Sequence, residues 1–148
     1  MLDINVTVTV LGINATCANL GPKCLQLLGM HALTGCHTTS YPFGKGKATA
    51  LLTGNHIGLY NALGEVDASS DDLMEAATGY FIALYGQSPG TSLESARFKQ
   101  FTIKKKSPKV MALPPTSSNL LHHVLRVHLQ VMPWKACNQN APQMNQMI

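Results

Sequence analysis

Charge is scarce in this chain. Asp, Glu, Lys and Arg make up 12 % of its 148 residues, and only seven of those are acidic. A globular domain ordinarily carries about a quarter charged residues. Low charge beside seven Met and many Gly, Asn, Thr and Ser points to relaxed surface constraint or to missing partner surface. The four cysteines, Cys17, Cys24, Cys36 and Cys137, form no C-x-x-C pair, so a zinc site is not expected. So few in a chain able to build a core also speak against a disulfide framework, and reduced thiols are the expectation. No window approaches 18 apolar residues, which excludes a membrane-spanning helix from the expectation. The N-terminus has no basic region and carries Asp3, so it reads poorly as a signal peptide. Asn5-Val6-Thr7 and Asn14-Ala15-Thr16 are then chance glycosylation matches. An intracellular location is expected, the nucleus among the candidates.

A hydrophobic share of 45 % is enough for one core, and the length fits one domain or part of one. Net charge is +4 with a pI near 9.0, a weak tilt towards polyanionic partners.

Ile4 to Leu11 alternates β-branched and polar residues, the pattern of one short strand without a visible partner. Residues 14–20 suit a helical turn. Helices are expected over 22–35, ended by Gly35; over 47–52, closed by Gly54; over 70–85, capped by Ser69 or Ser70 with Asp71 and Asp72 in the first turn; and over 92–103, opened by the capping box Thr91-Ser92-Leu93-Glu94. Leu73, Ala77, Phe81 and Leu84 form the apolar face of the third, and Leu93, Ala96 and Phe98 a modest one on the fourth. Residues 107–116, rich in Pro, read as a linker. A last helix over 117–135 presents Leu120, Leu121, Val124, Leu125, His128 and Val131, with Pro133 as its stop or kink. Residues 136–148 lack periodicity and read as a frayed tail. The fold class is mainly α, with one N-terminal strand and a first region spanning 1–106.

The stretch with the most chemical promise runs from His31 to Ala50. An apolar helix end meets Gly35-Cys36-His37, a turn-rich loop follows, and Gly44-Lys45-Gly46-Lys47 opens the next helix. Gly44 and Gly46 permit positive φ and leave room for an approaching backbone. Free amides at a helix start, helped by its dipole, favour an anion, and Lys45 and Lys47 add charge. The plain alternative is a glycine-rich turn with two solvated lysines. No P-loop is present.

This string resembles the helix–hairpin–helix of flap-endonuclease-like (PIN-like) nucleases, whose pattern is Gly-Cys-Asp, a spacer, Gly-x-Gly and then Ala. Gly35, Cys36, His37, Gly44, Gly46 and Ala50 occupy those positions. It is closer to a group of uncharacterised eukaryotic proteins associated with mobile elements. They share the His-Ala-Leu-Thr-Gly-Cys stretch and a later block like Leu113-Pro114-Pro115-Thr116-Ser117, followed by Leu120, Arg126, His128 and Trp134. The resemblance covers residues 2–136. It implies a helix–hairpin–helix-like element that binds DNA phosphates through Gly44, Lys45, Gly46 and Lys47. In the nucleases the Asp belongs to a carboxylate cluster whose metal ions activate water for phosphodiester cleavage. Here His37 replaces it, and histidine is a poor Mg²⁺ ligand. None of Asp3, Glu65, Asp67, Asp71, Asp72, Glu75 and Glu94 pairs with it in sequence. The expectation is a C-terminal part or degenerate copy with no catalytic residues, metal or cofactor: not an enzyme, and at most a sequence-independent DNA binder.

The rival expectation is a helical interaction or structural module whose apolar helices at 22–35 and 70–85 pack on a partner chain. Other residues fit the plainer roles. Cys36 reads as a small buried apolar residue. His122, His123 and His128 lack the same-face spacing of a metal pair and read as interface histidines. The run from Lys99 to Lys109 is a solvated basic face or, with Arg97, a nucleic-acid contact. Tyr41 and Trp134 either stack on bases or pack.

Overall fold

In the computed structural model, the described residues are 19, 23–103 and 109–139. They are mainly helical: α1 (Lys23–Leu33), α2 (Lys47–Leu51), α3 (Ile57–Ala62), α4 (Ser70–Leu84), α5 (Leu93–Ile103), a 3-10 turn (Val110–Ala112) and α6 (Ser117–Gln139). The expected strand over 4–11 and the turn over 14–20 fall outside the described residues, Asn19 apart.

α6 is the axis of the packing. α1 and α4 both lie against it, α3 bridges those two, α5 rests on α4, and α2 touches α1. The inward face of α6 is Leu120, Val124, Val127 and Val131, all buried, at the alternating spacing of a helix stripe. This corrects the expected face: Leu121 is exposed, Leu125 is half-buried, and Val127 belongs to the core. The α4 face, Leu73, Ala77, Phe81 and Leu84, is buried as expected, with Tyr80 and Ile82 added. That face is covered within the chain by α3, α5 and α6, so no partner chain is needed to cover it. Ser69 is the cap of α4, its hydroxyl accepting from the amides of Asp71 (3.2 Å) and Asp72 (3.5 Å).

Four expectations need correction. α3 was not foreseen: it is a turn and a half with a glycine inside, and burial of Leu59 and Tyr60 holds it rather than propensity. α5 opens on Ser92, whose hydroxyl accepts from the Ser95 amide at 3.1 Å, while Glu94 turns away to accept from Ser117 at 2.5 Å. Phe98 on α5 is 69 % exposed. Pro133 does not end α6. It has no N–H to offer the Leu129 carbonyl one turn back, and both residues lie on the exposed side of α6, where that loss is tolerated. Beyond it, the Lys135 ammonium donates to the Asn61 carbonyl at the end of α3 (2.6 Å) and pairs with Glu65 (2.5 Å), fastening the last turns.

The segment expected to be a linker is packed where it is described. Leu113 and Pro114 are buried, and the Arg97 guanidinium donates to the Pro114 carbonyl. Its neighbour α6 therefore shares one core with α1 and α4. No helix of the described residues is long and apolar enough to cross a membrane.

At Gly64 the chain leaves α3 with φ +84°, and its amide donates to His128 Nδ1 at 3.1 Å. A Cβ there would stand 2.8 Å from Val131 Cγ1 and 3.0 Å from the Met132 nitrogen. Gly64→Ala is expected to lower stability by about 2–3 kcal/mol, from left-handed strain and displacement of α6. Gly79→Ala, in open space inside α4, should raise it by about 0.5–1 kcal/mol. Urea unfolding of the two variants beside the native chain checks both signs.

Candidate functional site

An α-helix leaves its last four carbonyls without partners. In α1 every one of them is met, three by the stretch that resembles a nuclease hairpin and the last by α6. Met30 O accepts from the Thr34 amide (3.0 Å) and hydroxyl (2.7 Å). His31 O accepts from the Lys47 ammonium (3.3 Å). Ala32 O accepts from the Gly35 amide (3.2 Å) and the buried Thr39 hydroxyl (2.7 Å). Leu33 O accepts from Nε2 of His123 on α6 at 2.9 Å. Gly35 turns the chain at φ +101°, and its hydrogen side faces Tyr41, whose Cβ would lie 2.4 Å from any added Cβ.

The same residues close the loop on itself and on α6. The Cys36 amide donates to the Thr39 carbonyl and hydroxyl, each at 3.1 Å. Thr38 donates to Gln130 Oε1 at 2.6 Å. With Nε2–H of His123 given to Leu33, its Nδ1 is left to accept from the Ser40 hydroxyl at 3.4 Å. Burial pushes His123 below the ordinary imidazole value, opposed by the Leu33 bond and reinforced by Arg126. His123 is thus a buried structural pin between α6, the end of α1 and the loop.

The two lysines of the hairpin have different surroundings. Lys47 reaches back to α1: its ammonium is 2.9 Å from Gly35 O and 3.1 Å from Thr34 Oγ1, besides His31 O. A cation there answers the negative end of the α1 dipole. Lys45 is half-buried, with its ammonium 4.9 Å from the centroid of the Tyr85 ring, a cation–π placement. Gly44 takes positive φ (+71°) whereas Gly46 does not (−82°), and a Cβ on either meets nothing within 4 Å. Gly46 caps α2 without a side-chain bond, so nothing from a side chain covers the first amides. α2 is one short turn, too brief for the dipole that a longer helix would lend.

Cys36 is half-buried rather than a core residue, its Sγ 3.2 Å from both the Thr38 and Thr39 hydroxyls. His37 and Tyr41 are exposed, whereas Trp134 packs against the core and tilts over His31 with ring centroids 5.9 Å apart. Lys99 and Lys109 are exposed, the lysines at 104–106 fall outside the described residues, and Arg97 is turned onto Pro114. His122 faces solvent on α6, and His128 accepts from Gly64. No group of three or more metal-ligating side chains gathers among the described residues.

The loop adjoins a groove of about 840 Å³, walled by Ser40–Phe43, by 110–116 and by α6. Sequence reasoning missed it because its lining comes from five distant segments, Phe81 and Tyr85 of α4 and Arg97 of α5 included. The one available signal was Leu113-Pro114-Pro115, read as linker and as part of the second block of the resemblance.

Lys47→Gln is expected to cost about 1 kcal/mol of stability and Lys47→Glu about 2, since the α1 carbonyls lose a charged donor and then meet a carboxylate. Lys45→Gln should cost no more than about 1 kcal/mol, the size of one exposed cation–π contact. Thermal and urea unfolding of the three variants measure the difference. Comparison with family models, with curated proteins and with solved structures finds no match.

Proposed function

We propose that this chain is a non-catalytic, degenerate relative of the flap-endonuclease-like (PIN-like) proteins associated with mobile elements. It holds the phosphate backbone of DNA, without sequence preference, at its helix–hairpin–helix-like Gly44–Lys47 turn. The observation that carries this is the open turn itself. Gly44 and Gly46 have no neighbour within 4 Å of a Cβ position, the amides that follow have no side-chain cap, and Lys45 stands between them. Backbone amides and a lysine without an intervening side chain suit a phosphate oxygen. Lys45 supplies the charge, because Lys47 is held at the end of α1. The absence of catalysis is inferred from His37, which stands where the resembled nucleases have a metal-binding Asp and offers Mg²⁺ a nitrogen in place of hard oxygens. This reading calls for no cofactor.

The rival reading, an interaction module with no nucleic-acid role, draws nothing from α4, whose apolar face lies within the core. It turns instead on the groove beside the loop.

The test is a salt titration of binding to a short fluorescent DNA duplex. Binding should weaken with a log–log slope of about −0.9 per phosphate contacted, and Lys45→Gln should reduce that slope by about one contact. Lys45→Glu should abolish binding in a chain that remains folded. Binding that ignores salt, or that survives Lys45→Glu, would rule the reading out.

A further inference from the structure

We propose that the groove between the loop after α1, the 110–116 segment and α6 is a docking site for an acidic peptide segment bearing apolar anchors. The inference is independent of the phosphate reading at Gly44–Lys47.

Exposed apolar side chains gather around this one concavity. Tyr41 is 72 % exposed, Val110 70 %, Met111 63 % and Phe43 42 %, and all four line it. Other exposed apolar residues, such as Leu52 and Val66, do not line it. Single exposed apolar residues are ordinary, whereas a cluster around a cleft marks an interaction surface. The floor is firm. Leu113, Pro114 and Leu120 are buried, and Arg97 ties the Pro114 carbonyl to α5. A rigid wall lessens the ordering that a partner must impose on binding. Met111 at the rim adds an unbranched, polarisable side chain that adapts to differently shaped anchors.

Charge selects the partner's sign. Arg126 and His122 line the groove from α6, and no acidic side chain lines it among the described residues. Arg126 is exposed and has neither hydrogen bond nor ion pair to another described residue. A carboxylate would find a bidentate fork there. Composition selects a peptide over a nucleic acid. A nucleic-acid groove needs cations spaced along a phosphate track. Here Arg97 is committed to Pro114, and Val110, Met111, Leu113 and two prolines stand where phosphates would need donors. Apolar walls of mixed aliphatic and aromatic side chains, with Arg126 unpaired among the described residues, suit anchors such as Leu or Phe flanked by Asp or Glu.

Fluorescence anisotropy with the full chain tests this, using three labelled peptides of equal length. One has Leu and Phe anchors at helical spacing among Asp and Glu, one has the same anchors among Lys, and one is acidic without anchors. The acidic anchored peptide should bind at least about tenfold more tightly than either of the others. Arg126→Glu should reverse the preference towards the basic anchored peptide, and Met111→Asp should abolish binding of both. Both side chains are exposed, so the variants should keep the native unfolding midpoint. Equal binding of all three peptides, no binding, or a preference unchanged in Arg126→Glu would overturn the proposal. So would displacement of the peptide by a single-stranded oligonucleotide whose own binding is lost in Arg126→Glu, which would make the groove a nucleic-acid site.

Discussion

The carbonyls at the end of α1 set the arrangement of everything around the loop. Acceptors at a helix end need donors, and an unmet one that is buried, as at Met30, Ala32 and Leu33, costs on the order of 1–3 kcal/mol. The donors come from four places: Thr34, the Gly35 amide and Thr39 in the loop, Lys47 at the start of α2, and His123 on α6. Meeting them fixes the path of the loop, the position of α2 and the rotation of α6 together. The His-Ala-Leu-Thr-Gly-Cys-His-Thr-Thr-Ser stretch thus has a structural job in its own right: its threonines and glycine fold the chain back over its own helix.

That job changes what the loop can offer a ligand. Lys47 is exposed but hydrogen-bonded back to the end of α1, while half-buried Lys45 lies over Tyr85. His37 points into solvent without a cluster of carboxylates gathering near it among the described residues. Tyr85 borders both the Gly44–Lys47 turn and the adjacent groove, carrying Lys45 over its ring and lining the groove.

Local signals made much of the helical frame legible. Gly35, Gly54 and Gly86 follow helix ends, Ser69 caps α4, and the spacing of Leu73, Ala77, Phe81 and Leu84 marked a buried face. The misses share a cause, which is dependence on distant chain. α3 exists because Leu59 and Tyr60 are buried against α1 and α4. α6 continues past Pro133, where Lys135 is fastened to the end of α3. Phe98 lies at a plausible helical position, but no neighbour covers it. Of the four hairpin residues singled out, Gly44 takes the positive φ that the glycine pattern suggested, whereas Gly46 does not. The partner of Lys47 could not be read locally, because a lysine that caps an earlier helix looks like any solvated lysine.

The state of His123 reports on this arrangement most directly. In an NMR titration of the full chain, capping of Leu33 requires the neutral Nε2–H tautomer at neutral pH. Burial of His123, which outweighs the Leu33 bond, sets its protonation midpoint below the ordinary value of about 6.5, and Leu33 and Ser40 resonances should move in step with it. Because the unfolded chain takes up this proton at a higher pH than the folded one, the stability that His123 contributes is complete above about pH 6.5 and declines below it. An Nδ1–H tautomer, or Leu33 and Ser40 resonances that stay unmoved while His123 titrates, would contradict the capping of α1 by α6.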